Sequence, residues 1–115
     1  MSQKLCQSLS DIKPVSTVHN LGEKFVFLKN EDTQSAITQF AFGKLLPGED
    51  VESHLHPTME ECFYFLSGEG EYTVDNIPYI VKPETFLRIP ANTLHSLKIT
   101  STVPLTFVYF GVALD

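Results

Sequence analysis

The segment HLHPTMEECFYFLSG, residues 54–68, holds two histidines one residue apart, a proline, and then the adjacent acids Glu60 and Glu61. A third histidine, His95, lies in a separate stretch, and the chain has one other, His19. On an extended strand, side chains at i and i+2 share a face about 6–7 Å apart, so His54 and His56 aim at one point. Imidazole is long enough for both rings to meet a single ion. Pro57 cannot donate to a sheet ladder, so the strand ends there and the chain turns back, bringing a downstream acid alongside the histidines. Neutral imidazole nitrogens with one carboxylate suit a divalent transition metal: Mn, Fe, Co, Ni, Cu or Zn. Glu60 and Glu61 fall on opposite faces of a strand, and parity alone leaves both open. If Glu61 points inward, Phe63 and Phe65 line the same side; if Glu60 does, Cys62, Tyr64 and Leu66 accompany it.

The elements that must position these groups are short, β-branched or aromatic, and separated by turn residues, which is an all-β pattern. Strands are predicted at 24–28, 36–46, 61–68, 71–74, 77–81, 85–89, 95–100 and 104–114. PGED, SGEG, VDNI, VKPE and IPANT supply the turns between them. Helix finds no place beyond one turn near EDTQSAITQ. Strand number and spacing point to a sandwich or a small closed barrel. The run 61–66 and the C-terminal FVYFGVAL are apolar on both faces, whereas a sheet with one wet face alternates more cleanly. Either the N-terminal arm or a second copy of the chain is therefore expected to cover the outer face, and a homodimer is the expectation drawn from it.

Composition narrows the function classes. At 115 residues and 43% apolar, the chain is the size of one domain with one core. No segment approaches the ~20 apolar residues that span a bilayer, and the N-terminus shows no export signal. Cys6 and Cys62 do not form a disulfide framework, which fits reduced thiols in the cytoplasm. The formal charge is −6 and the eight basic residues are scattered, so no basic stripe is present for nucleic acid.

The segment Gly48 through Gly68 resembles the first motif of the cupin superfamily: glycine, five residues, H-x-H, four residues, glutamate, six residues, glycine. KPETFLRIPANTLHSLKI resembles the second motif, with Pro90 followed after four residues by His95. The resemblance implies a single-domain jelly-roll β-barrel of two antiparallel sheets over residues 1–115. Residues 1–35 would form an arm and first strands, and 36–113 the barrel proper. It also selects Glu61 over Glu60 and implies one metal held by His54, His56, Glu61 and His95. The second motif departs from the family pattern at Pro83, Asn92 and Ile99, which stand where glycine, glycine and asparagine are usual. Asn tolerates a left-handed backbone, so that change is mild, whereas Pro83 calls for a different turn.

Four protein ligands would close a tetrahedral zinc site, but would leave two positions open on a six-coordinate ion. The second arrangement permits a metalloenzyme acting on a small polar metabolite, as an isomerase, epimerase or oxygenase. The alternative is a cupin that binds a small molecule without turnover. For a proton-transfer group, Glu60, Glu71, Tyr64, Arg88 and Lys44 qualify by type only, and Phe63 or Tyr72 would line the pocket or pack the core. His19 lies outside both motifs and reads as an ordinary loop or strand histidine.

Overall fold

The computed structural model describes residues 4–17 and 21–114, so His19 lies outside the described residues. Strands run β1 Glu23–Lys29, β2 Ile37–Leu45, β3 Val51–His54, β4 Met59–Ser67, β5 Gly70–Val74, β6 Ile77–Val81, β7 Phe86–Ile89, β8 His95–Ile99 and β9 Leu105–Ala113. They form a five-stranded sheet ordered β1-β2-β9-β4-β7 and a four-stranded sheet ordered β3-β8-β5-β6. Every pairing is antiparallel. This is the expected jelly-roll sandwich. Helix among the described residues is confined to 3-10 turns at Leu9–Asp11 and Asn30–Asp32, and no helix there is long and apolar enough to cross a membrane.

One apolar cluster joins the two sheets. Phe63, Phe65, Leu87, Ile89, Leu105 and Phe107 enter it from the larger sheet, and Tyr72, Val74, Val81, Leu97 and Ile99 from the smaller. Alternation explains the sorting. Along β4, Glu61, Phe63 and Phe65 are buried, while Tyr64 and Leu66 are 42% and 44% exposed. Tyr64 and Leu66 of that outer face are not covered by the described residues of the N-terminal arm. The arm runs beside β1, where Val15 bridges Lys24 and the Gln7 amide donates to the Phe27 carbonyl at 2.9 Å.

The turns follow their chemistry. Asp75 and Asn76 both take positive φ, 51° and 66°, between β5 and β6, which matches the twist of a two-residue hairpin. At the altered second motif, the Thr85 N–H bonds the Lys82 carbonyl at 3.0 Å. Pro83 occupies the second position of that turn, and Glu84 takes the left-handed third position at φ 71°. Asn92 sits at φ 59°, as its tolerance of that region predicts. On the inner face, a Cβ on Gly43 would lie 2.4 Å from the Phe107 ring, so only glycine lets the ring seat there.

Candidate metal centre

β3 and β8 pair so that His54 stands opposite His95, which brings the first and third imidazoles together across one ladder. Their ring centroids are 4.2 Å apart. β3 stops at His54, two residues short of the strand expected to run to Pro57, and His56 belongs to the connection that follows. A strand is therefore not what aims His56. Its carbonyl accepts the Asn92 N–H at 2.8 Å, so the left-handed turn of the second motif holds the backbone of the first. The His56 ring lies 5.1 Å from that of His54 and 5.4 Å from that of His95.

Tautomers follow from the backbone. Nδ1 of His54 lies 2.9 Å from the Glu52 carbonyl, and Nδ1 of His95 lies 2.9 Å from the Thr93 carbonyl. A carbonyl only accepts, so each Nδ1 carries a proton and Nε2 of the neutral ring presents its lone pair. One nitrogen from each of the three histidines falls within 4.8 Å of the others. Glu61 comes in from the opposite sheet, with Oε1 at 3.3 Å from His56 Nε2 and 3.8 Å from His95 Nε2. The three histidines alone form a group that could hold a metal ion, and Glu61 Oε1 stands beside two of them.

Glu61 is 8% exposed, and burial raises its pKa to about 7, with the Lys24 charge opposing the shift. Burial likewise raises the pKa of the Tyr72 phenol well above its usual value, and that of Tyr109 to about 12, with the Glu61 charge adding to both. Both tyrosines stay protonated at neutral pH. An open cavity of about 210 Å³ meets the cluster, lined among others by His54, His56, Glu61, Phe63, Tyr72 and Tyr109. That is enough room for a small metabolite.

All four residues singled out for metal binding thus gather at one place. Glu60 does not: it points to the outer face, where Arg88 Nη2 donates to its Oε2 at 3.0 Å. Tyr64 is exposed on that face, and Cys62 is half-buried there as a free thiol. Phe63, Tyr72 and Lys44 border the cavity, as the sequence allowed. Sequence reasoning passed over Lys24, Gln39, Met59 and Tyr109, which also line it. One signal was available: Gln39 is a polar residue in phase with Ala41, Gly43 and Leu45, the buried set of β2.

Comparison with known proteins agrees with this geometry. Over 58 residues, half of the chain, the sequence is 40% identical to an uncharacterised protein of Methanocaldococcus jannaschii, of which it covers 46%. Over 73 residues, 64% of the chain, it is 33% identical to quercetin 2,3-dioxygenase of Bacillus subtilis, of which it covers 21%. The chain therefore spans less than half the length of these relatives. Among solved structures, that of a predicted oxalate decarboxylase from Thermotoga maritima superposes with a TM-score of 0.86 at 25% identity, covering 96% of this chain and 100% of that one. A family model described as the cupin domain matches residues 41–111. With that match over more than half its length, the chain belongs to the cupin family.

Proposed function

We propose that the protein is a metalloenzyme of one barrel domain, binding a single divalent transition metal through His54, His56, Glu61 and His95 and acting on a small polar metabolite. The observation that carries this reading is the convergence of one nitrogen from each of three histidines within 4.8 Å, with Glu61 Oε1 beside two of them. When bound, such an ion supplies Lewis-acid polarisation of a carbonyl or activation of water. The chain's own residues do the rest. The Glu52 and Thr93 carbonyls hold the His54 and His95 rings in their tautomers, and orientation of this kind commonly affects metal affinity 10–100-fold. Phe63 and Tyr72 present apolar surface that keeps bulk water from the inner end of the cavity.

The similarity to quercetin 2,3-dioxygenase supports an oxygenase, whereas the metal-and-pocket geometry serves isomerase or epimerase chemistry equally well. The alternative is a non-catalytic binding role, in which Tyr72 and Tyr109, held protonated by burial, donate hydrogen bonds to the ligand. Elemental analysis of the purified protein tests the metal reading. One equivalent per chain in the wild type and near-background metal in His54→Ala are expected; equal metal in both would overturn it. A metabolite screen with turnover assays on the metal-loaded protein then separates enzyme from binder.

A cytoplasmic homodimer accompanies this reading. The outer face of the larger sheet supports association, with Phe40 stacked on Phe110 at 6.1 Å and Phe25 edge-on to Phe42 at 5.7 Å, all half-buried in the single chain. Light scattering should return twice the chain mass of 12.9 kDa; a value near the single-chain mass at micromolar concentration refutes it.

A further inference from the structure

The cavity that meets the histidine cluster also has charge on its β1–β2 wall. Glu23 and Lys44 stand opposite each other in the β1–β2 register, so their charges offset across the ladder. Both line the cavity, and so does Lys24, the next residue along β1. It stands opposite Gly43 in the register of β1 and β2. Its Nζ donates to the Gln39 Oε1 at 3.2 Å, and Gln39 and Tyr109 line the same cavity. Among the described residues no carboxylate lies in ion-pair contact with Lys24. An ammonium carries three donors, and this one is half-buried with a neutral amide as its protein partner. Removing such a cation from water is costly unless an anion meets it.

A divalent ion at the cluster, the Glu61 carboxylate and Lys24 together leave the cavity with two net positive charges. A neutral ligand would leave that charge uncompensated, whereas a carboxylate would offset it from both ends. We propose, on the basis of the metal reading above, that the ligand is a small carboxylate. One of its oxygens faces the histidine cluster, and its anionic group takes its counter-charge from Lys24 and a hydrogen bond from Tyr109. Lys24 is then a specificity-determining residue, selecting anionic over neutral chelators of the same size.

The test loads the protein with one equivalent of cobalt(II) and follows its visible absorption bands while malonate, succinate or the neutral malonamide is added. At least one of the two dicarboxylates should shift the bands of the wild type. Its affinity should fall roughly 10- to 100-fold in Lys24→Met, the range for a hydrogen bond to a charged group. Cobalt content should stay at one equivalent in that variant, which also shows that it is folded, and the weak malonamide response should be unchanged. Equal carboxylate affinity in wild type and Lys24→Met, or no carboxylate response by the cobalt-loaded wild type, overturns the proposal and leaves the metal site standing. A wild type that takes up no cobalt overturns both readings.

Discussion

The two faces of β4 carry consecutive glutamates with opposite fates. Glu61 turns inward with Phe63 and Phe65, is 8% exposed, and has a pKa raised to about 7 by burial. Glu60 turns outward and shares a hydrogen-bonded ion pair with Arg88 from β7. Residue type and chain position are almost identical, so the difference is one of surroundings. The inner face removes water from a carboxylate and sets imidazoles against it, which makes a charge that a cation would stabilise. The outer face leaves its carboxylate solvated and supplied with a guanidinium. Burial, not acidity, is what makes one of them a candidate ligand.

Paired substitutions can break that comparison. The largest contrast is expected in packing. Phe65 is fully buried, so Phe65→Ala should cost about 3–5 kcal/mol. Tyr64→Ala on the opposite face should cost under about 1 kcal/mol. Chemical denaturation measures both, and repeating it at two protein concentrations separates chain stability from association. Next comes metal affinity. Glu61→Ala should lower it by about 100-fold, a loss at the upper end of those seen for groups that only support a ligand. Glu60→Ala should leave it unchanged, and equal losses in the two variants would show that the inward glutamate has no special part.

Third is pH, in protein stripped of metal. Glu61 has a folded pKa of about 7 against an ordinary 4.5. Below the lower value it is protonated in both states and costs nothing. As pH rises from the lower value to the higher, the unfolded state ionises first, and the metal-free fold should lose up to about 3 kcal/mol. Glu61→Gln should remove that portion of the slope, so the difference between the two proteins isolates it from histidine titration. Identical pH slopes would mean that the carboxyl is not held in a dry site. Smallest of all, Arg88→Ala should leave both the melting temperature and metal content within error, because an exposed ion pair is screened by solvent.

Much of the fold was legible because strand alternation and turn chemistry are local. The predicted strands at 24–28, 71–74 and 77–81 lie on β1, β5 and β6 almost residue for residue, and the turns at VDNI and IPANT hold the left-handed residues their asparagines allow. The histidines were legible for a related reason: few residue types bind transition metals, and three of the four in this chain stand in the two motifs. Parity could not choose between Glu60 and Glu61, and it took the family spacing to prefer the second.

What the chain order alone determined is therefore the set of strands, their turns and the candidate ligands. Only tertiary structure decided that β3 ends at His54, that an Asn92 N–H aims the His56 backbone, and that Lys24, Gln39 and Tyr109 border the same cavity. The physical reason is distance along the chain. Those last three residues come from β1, β2 and β9, and each reads locally as an unremarkable strand position. Sheet pairing and the packing of one sheet on the other give them a shared neighbourhood, and no local pattern encodes that.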